Sequence, residues 1–176
     1  RKGGMEKKLK TILKINRATK KVGLDLVPIL LKKITSVFGG RMRVMISGGA
    51  AIDPAVLEGI AEFGITTLQG YGLTECAPIC ALNPDKGMKQ DSAGYPPPGF
   101  GIKIHEPDPE TGIGEICACG GNVMLGYYND EEATKEVLID GWFHTGDLGY
   151  LDKDNFVYIT GRKKNVIITK NGKNVY

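Results

Sequence analysis

Segment 69–75 brings an aromatic ring, a hydroxyl and a carboxylate close together. Tyr71 stands between two glycines, and Thr74 and Glu75 follow it. The glycines are expected to leave room on both sides of the ring, which can stack on a base, while the hydroxyl can contact a phosphate oxygen and the carboxylate can bind Mg²⁺. The alternative, a core tyrosine beside a surface glutamate, leaves the glycines and the threonine–glutamate pair unexplained. The segment therefore indicates a nucleotide site.

A second candidate is a carboxylate in a glycine-containing segment, Asp147 in segment 141–149. A carboxylate accepts two hydrogen bonds at once, which matches the adjacent 2′- and 3′-hydroxyls of a ribose. The neighbouring glycines predict a turn that presents the side chain, and on these residues alone an aspartate that caps its own turn is an equally good interpretation. In the same segment we expect Trp142 to serve in packing and His144 to be a turn residue.

Two further segments combine glycines or basic residues with predicted strand ends. Segment 47–50 places paired glycines where a flat ring can approach the backbone, although a tight strand-to-helix turn is the simpler interpretation. Segment 161–172 begins with a basic run and ends at Gly172. On its own it is typical of a basic β-turn, and neither segment by itself identifies a ligand.

The four segments SGGAA, QGYGLTE, GWFHTGDLG and GRKKNVIITKNG, in this order, resemble the adenylate-forming acyl-CoA synthetase family. The resemblance implies that Tyr71 stacks on adenine, that Thr74 contacts the α-phosphate region and that Glu75 coordinates magnesium. It implies that Asp147 binds the ribose and that Arg162 is a second ribose or phosphate contact. Thr74 and Glu75 are then the catalytic residues, Glu75 is the metal ligand, and the cofactor-binding residues are Gly48, Gly49, Ala50, Tyr71, Gly72, Thr74, Asp147, Arg162 and Gly172.

The resemblance also implies a moving part at the end of the chain. It makes Lys164 the hinge about which a small carboxy-terminal domain rotates between adenylation and thioester formation. It places Gly172 near the path of the pantetheine arm of coenzyme A. For Lys163 we prefer the role of a turn residue.

The closest likeness is to the long-chain fatty acyl-CoA synthetase group, mainly through residues 167–176. The implied reaction is attack of a fatty carboxylate on the α-phosphate of ATP, with Mg²⁺ bound and pyrophosphate released, followed by displacement of AMP by the thiol of coenzyme A. The phosphate loop of the family would lie upstream of this chain and its catalytic lysine downstream, so we expect the isolated chain to be nearly inactive. An adenylation domain for an amino or aryl acid and a non-catalytic nucleotide-binding protein are the alternatives.

These segments need a framework that brings them together. The apolar run 44–46 predicts a strand, Asp53 and Pro54 predict the start of a helix that runs to Phe63, and a second strand is expected at 66–69. Amphipathic patterns predict helices at 6–21 and 30–38, the second closed by a glycine pair. Residues 42–75 are thus expected to form an α/β layer with functional loops at the strand ends.

The character of the chain changes after Cys80. Segment 94–99 contains three prolines and two glycines, and short predicted strands separated by turns follow it, with a helix capped by Asp130. The predicted fold class is therefore α/β, part of a layered adenylate-forming domain followed by a small β-rich, barrel-like subdomain. We predict a partial α/β subdomain at 1–90, the β-rich subdomain at 91–161, and the hinge with the start of a further domain at 162–176.

Composition narrows the class of protein. The 176 residues are 41% hydrophobic and 24% charged, no apolar run approaches the roughly 18 residues of a membrane-spanning helix, and no signal-peptide core follows the first residues. We expect a cytoplasmic protein and, from the start without methionine, a piece of a longer one. An incomplete α/β layer would expose apolar faces, which predicts self-association.

The charge distribution and the cysteine spacing argue against nucleic-acid binding and against a structural zinc site. Residues 1–41 hold 12 Lys and Arg against 2 Asp and Glu. Nucleic-acid surfaces usually include aromatic residues, which are missing before Phe38, so a solvated helix face is the favoured interpretation. Peripheral membrane contact stays an alternative. The spacing of the four cysteines differs from that of a zinc knuckle. Cys117 and Cys119 are expected to share one face of a strand as small buried side chains.

Overall fold

The computed structural model describes residues 2–21, 23–24, 26, 32–50, 52–165, 167–168 and 174–175. The chain divides into two compact units, one formed by Arg1–Ile46 and Ile52–Thr67 and the other by Ser47–Ala51 and Leu68–Tyr176. Helices together with antiparallel sheets confirm the predicted mixed α/β class. The three-part division at residues 90 and 161 stays a prediction.

The amino-terminal part of the chain is mainly helical. Helix α1 (Lys2–Lys20) begins earlier than the predicted residue 6, and helix α2 (Lys32–Thr35) passes into a 3-10 turn that ends at Gly39 with φ of +76°. The positive φ explains the closing glycine, because side chains with a Cβ avoid that region. Of the predicted helix 30–38, residues 30 and 31 lie outside the described residues. No helix in the described part of the chain combines the length and apolarity needed to cross a bilayer.

The strand–turn–helix around residue 50 follows its sequence signals. Strand β1 (Val44–Ser47) precedes helix α3 (Pro54–Ala61), whose first turn is capped by Asp53, which accepts a hydrogen bond from the Ala55 N–H at 2.8 Å. This cap satisfies a backbone donor that would otherwise have no partner within the helix. The prediction of a helix that begins at Asp53 and Pro54 is confirmed.

Strands dominate the second unit. Strand β2 (Thr66–Gly72) continues three residues beyond the predicted end at 69 and pairs antiparallel with β3 (Ile79–Leu82). The elements after segment 94–99 are β4 (Phe100–His105), β5 (Gly114–Gly120), α4 (Glu131–Val137), β6 (Leu138–Ile139), β7 (Trp142–Leu151), β8 (Val157–Arg162), β9 (Ile167–Ile168) and β10 (Asn174–Val175). Five of these strands form an antiparallel sheet in the order β4-β5-β7-β6, with β8 also paired to β7.

Aspartates fix the connections of this sheet. Asp108 accepts hydrogen bonds from the N–H groups of Glu110 and Thr111, and Asp152 accepts them from Asp154 and Phe156. Each carboxylate mimics a backbone turn in this way. The aspartate predicted to cap the short helix does so as well, since Asp130 accepts from the Ala133 N–H at 3.0 Å.

The core lies on one face of the five-stranded sheet. Ile116 and Ala118 of β5 are fully buried and pack with Phe143 and Val157. The intervening residues Glu115, Cys117 and Cys119 project from the opposite face, because side chains alternate along a strand. The four cysteines are free thiols, and all but Cys119 are buried. Cys117 and Cys119 share one face of β5 as predicted, but only Cys117 is fully buried, and Cys119 is partly exposed.

Strand β7 bulges where a turn was predicted. Cα pairing runs from Glu115 opposite Leu148 to Cys117 opposite His144, so three residues of β7 stand against one residue of β5. Gly146, within the extra residues, has φ of +72°. The prediction that Asp147 and His144 lie in a turn is wrong. The physical reason is long-range pairing with β5, which keeps the segment in the sheet. Gly146 is therefore part of a β-bulge and not of a turn.

Candidate nucleotide site

A cavity of about 570 Å³ lies within the second unit, a volume in the range of roughly 300–1,000 Å³ that is common for small-molecule sites. Five stretches that are distant in sequence form its walls. Six predicted cofactor-binding residues line it, Gly49, Ala50, Tyr71, Gly72, Asp147 and Arg162. The other lining residues are Gln69, Gly70, Leu73, Asp91, Ser92, Ala93, Ile159 and Gly161.

Asp147 is anchored at the cavity wall by two neighbouring side chains. Its side chain is 7% exposed, Oδ1 accepts a hydrogen bond from Arg162 Nε at 2.7 Å, and Oδ2 accepts one from the Tyr71 hydroxyl at 2.7 Å. The bulge presents it, and its own N–H donates to Thr145 Oγ1 at 3.1 Å. A carboxylate offers about four lone-pair sites, so each oxygen can still accept from one further donor. A vicinal diol supplies two such donors.

Arg162 brings a fixed positive charge to the same wall. It ends β8, where its Cα pairs with that of Asp147, and its side chain is 61% exposed. The hydrogen bond to Asp147, with the charge of that carboxylate, raises the pKa of Arg162. This bond uses Nε, so the terminal guanidinium nitrogens are not needed for it and can donate to a phosphate or a hydroxyl.

Tyr71 serves the site from the core. It lies inside β2, is 7% exposed and belongs to the buried cluster around Phe100 and Ile116. Burial, together with the neighbouring Asp147, raises the pKa of its hydroxyl well above the ordinary value, so the group stays a neutral donor to that carboxylate. The stacking of this ring on adenine stays a prediction.

The glycines beside Tyr71 make room for the protein's own backbone. A Cβ on Gly72 would lie 2.1 Å from the Pro78 carbonyl oxygen, and one on Gly70 would lie 3.2 Å from that of Ala81. The expectation that these glycines leave room on both sides of the ring is wrong, because β3 approaches β2 at these positions. Gly48 is similar, since its Cβ would lie 3.3 Å from the Gly70 carbonyl oxygen.

The predicted phosphate and magnesium residues lie in a 3-10 turn after β2. Thr74 is exposed, and Glu75 Oε1 accepts a hydrogen bond from the Tyr127 hydroxyl at 3.0 Å. Neither residue belongs to the described lining of the cavity. A partly exposed carboxylate with this one hydrogen bond among the described residues suits Mg²⁺. That ion commonly takes one or two carboxylates and completes its octahedron with substrate phosphates and water. Glu75 therefore fits the metal role given to it by the resemblance.

The remaining predicted residues lie at the carboxy-terminal end. Lys164 is an exposed residue of the 3-10 turn Lys163–Asn165 that follows β8. Gly172 lies outside the described residues. Trp142 has the ammonium of Lys103 at 4.3 Å from its ring centre, and a Cβ on Gly101 would touch its ring at 3.5 Å, which agrees with the packing role expected for it.

Sequence reasoning missed the loop between β3 and β4 and the carboxylate of Glu115. Loop residue Ser92 is buried, and its carbonyl oxygen accepts a hydrogen bond from Asn83 Nδ2 at 2.7 Å. Glu115 accepts one from the N–H of Gly146, the residue before Asp147. A single charged residue in an otherwise apolar strand is the signal that could have identified Glu115.

Comparison with known proteins connects this geometry to a family. The model of the AMP-binding enzyme family matches residues 9–128. The sequence is 39% identical over 147 residues to the long-chain-fatty-acid–CoA ligase FadD15 of Mycobacterium bovis, covering 84% of this chain and 24% of the relative. It is 34% identical over 175 residues to the 2-succinylbenzoate–CoA ligase of Bacillus cytotoxicus, covering 92% of this chain and 36% of the relative.

The fold is similar to that of solved ligases. O-succinylbenzoate coenzyme A synthetase from Bacillus subtilis, solved in complex with ATP and a magnesium ion, matches with a TM-score of 0.69 and 36% identity. The match covers 76% of this chain and 29% of that one. The chain thus spans about a quarter to a third of the length of these relatives.

Proposed function

Since the chain belongs to the AMP-binding enzyme family, we propose that it forms the adenosine-binding part of a long-chain fatty acid–CoA ligase. The observation that carries the proposal is the Asp147 carboxylate, held by Arg162 and Tyr71 at the wall of the cavity with lone pairs left for a diol. In this role Asp147 accepts from the 2′- and 3′-hydroxyls of ATP. Arg162 adds a donor to the ribose or a phosphate oxygen.

The reaction needs little proton chemistry from these residues. A fatty carboxylate is ionised at neutral pH, so it attacks the α-phosphorus directly, and pyrophosphate leaves with the electrons of the broken P–O bond. Gly49, Ala50 and Tyr71 hold the base and Asp147 fixes the ribose, which orients the α-phosphate for this attack. Thr74 would contact a phosphate oxygen, and Glu75 would hold Mg²⁺, which would neutralise charge on the phosphates.

In the second half of the reaction the thioester forms and AMP is the leaving group. The thiolate of coenzyme A attacks the acyl carbon of the acyl-adenylate, and AMP departs with the electrons of the acyl–oxygen bond. Lys164 is proposed as the hinge that exchanges the two arrangements of the active site. Coenzyme A is therefore the second substrate, and the acyl-CoA thioester is the product.

Substrate class is tested by release of pyrophosphate. The protein is extended at both ends to the length of its relatives and given ATP, Mg²⁺ and one acid at a time from acetate, octanoate, palmitate, 2-succinylbenzoate and an amino acid. We expect release with palmitate that falls strongly in the Asp147→Ala variant. Release confined to 2-succinylbenzoate or an amino acid would reject the long-chain assignment, and AMP binding without release with any acid would identify a non-catalytic nucleotide-binding protein.

An aryl acid is the second candidate substrate. It is favoured by the similarity to 2-succinylbenzoate–CoA ligases, which extends over 92% of this chain. The acid-binding residues must decide between the two classes, and the same panel of acids separates them directly. The 176-residue chain by itself is expected to bind AMP without forming an acyl-adenylate, and any acid-dependent pyrophosphate release by it would refute this expectation.

A further inference from the structure

One buried carboxylate outside the cavity joins three segments of the second unit. Glu115 of β5 is 7% exposed, and its Oε1 accepts a hydrogen bond from the Gly146 N–H at 3.0 Å. Its Oε2 lies 3.0 Å from His144 Nδ1 and 3.1 Å from Lys163 Nζ. Strand β5, the bulge of β7 and the 3-10 turn after β8 therefore meet at a single side chain.

Two contacts of Glu115 are made by sequence neighbours of Asp147 and Arg162, the two residues proposed to bind the ribose. Gly146 precedes Asp147 in the chain, and Lys163 follows Arg162, while Asp147 and Arg162 hold each other at 2.7 Å. The backbone on either side of this pair is thus tied to the same carboxylate. A change at Lys163 reaches Asp147 through Glu115 and Gly146 in two hydrogen bonds, without passing through the cavity.

A metal ion is the rival explanation for this cluster. Glu115, Cys117 and His144 place one donor atom each within 4.8 Å of one another, in types that suit zinc. However, the ammonium of Lys163 already supplies a cation at Glu115. Burial and the Glu115 charge also raise the pKa of Cys117 to about 11, so loss of its proton to a metal would cost more than for an ordinary thiol. These contacts favour the ion pair over a metal.

We propose that Glu115 is a positioning residue and that its ion pair with Lys163 is a latch, which couples the turn Lys163–Asn165 to the geometry of Asp147. The proposal rests on the proposed function, because the hinge role of Lys164 comes from it. Rotation of the backbone at Lys164 would withdraw the neighbouring ammonium from Glu115. The carboxylate would then hold Gly146 less firmly, and the grip of Asp147 on the ribose would loosen as the domain turns.

The first test uses the 176-residue chain and measures solvent exchange of the Gly146 amide by NMR. Lys163→Met removes the ammonium from a side chain that is 64% exposed, so the fold is expected to survive. Lys135→Met is the matched control, because that lysine is paired with the exposed Glu131 four residues earlier and lies in a different element, helix α4. We expect exchange about two- to fivefold faster in Lys163→Met, the scale of a partly exposed ion pair, and no change in the control.

Two further comparisons separate the latch from a local or metal effect. In a Glu115→Gln background, Lys163→Met should add nothing, because its partner charge is already gone. Unchanged exchange in Lys163→Met, or an equal effect of that substitution in both backgrounds, would overturn the proposal. So would protection of Gly146 in the wild-type chain that disappears with EDTA and returns with Zn²⁺ alone.

The second test uses the protein extended to the length of its relatives. Lys163→Met should change the ratio of thioester formation to adenylation by about two- to fivefold and raise KM for ATP by a similar factor, because Asp147 would hold the ribose less firmly. An unchanged ratio in an active enzyme would overturn the latch. If the wild type releases no pyrophosphate with any acid, the proposed function fails, and the amide-exchange result still decides the latch.

Discussion

Replacement of Asp147 by asparagine tests how the cavity recognises a nucleotide. The substitution keeps the size of a side chain that is 7% exposed, so it removes charge without opening a void. The amide has one acceptor oxygen in place of two, and the Tyr71 hydroxyl competes with the ribose for it. If the NH₂ group takes the place of Oδ1, it cannot accept the hydrogen bond that Arg162 Nε donates to Oδ1 at 2.7 Å in the wild-type chain. At least one hydrogen bond between the ribose and a charged acceptor is therefore lost.

The size of the effect follows from that count. A hydrogen bond to a charged group contributes about 1.5–3 kcal/mol, which corresponds to roughly 10- to 150-fold weaker binding of AMP. The Arg162 side chain is 61% exposed, so the loss of its ion pair adds little. The change in affinity should therefore come mainly from the ribose.

Isothermal titration of AMP and 2′-deoxy-AMP into the chain separates these contributions. The wild-type chain should bind AMP more tightly than the deoxy nucleotide, and Asp147→Asn should lose most of this difference. Asp91→Asn is the matched control, because it removes one negative charge from the same cavity wall. Equal binding of AMP by wild type and Asp147→Asn, or a loss of the same size in Asp91→Asn, would refute the reasoning.

Three further predictions concern stability. Tyr71→Phe deletes the donor that satisfies a buried oxygen of Asp147 and should lower the free energy of unfolding by about 1–3 kcal/mol in urea titrations, and an unchanged midpoint would show that water replaces the hydroxyl. Gly72→Ala puts a Cβ at 2.1 Å from the Pro78 oxygen and should lower the free energy of unfolding by about 1–3 kcal/mol or prevent folding. Gly121→Ala, whose Cβ would meet open space, should change it little. Similar thermal midpoints for the two variants would contradict the packing argument. For Glu115, burial raises the pKa, but the bonds from His144 and Lys163 outweigh it and the pKa is lowered overall. The ionised form therefore contributes stability above the unfolded pKa of about 4.3, and this contribution is lost as pH falls through the lower folded value. Glu115→Gln should flatten that part of the pH dependence, and an identical acid limb in both proteins would contradict the assignment.

Local signals predicted the elements that depend on neighbouring residues. Asp53 and Asp130 each accept a hydrogen bond from an N–H two or three positions ahead, and such caps can be read from the sequence. The two-residue spacing of Cys117 and Cys119 likewise predicted that both lie on one face of a strand. These features need no knowledge of the rest of the fold.

Features that depend on distant pairing could not be read in this way. Tyr71 and Asp147 are 76 positions apart, and Glu115 and Lys163 are 48 positions apart. The bulge that presents Asp147 exists only because β5 pairs on both sides of it, so its glycine resembled a turn. In the same way, the glycine beside Tyr71 suggested space for a ligand, whereas the backbone at Pro78 occupies that space.

The most direct test of the nucleotide site is to map AMP onto the chain by amide chemical shifts. With ¹⁵N-labelled chain and AMP added to saturation, the site described above predicts shifts that concentrate in residues 48–50, 69–73, 146–147 and 161–162. Adenosine alone should shift the same residues more weakly, since it lacks the phosphate that Arg162 can contact. Shifts confined to other residues, or none at saturating AMP, would contradict the assignment of this cavity as the adenosine site.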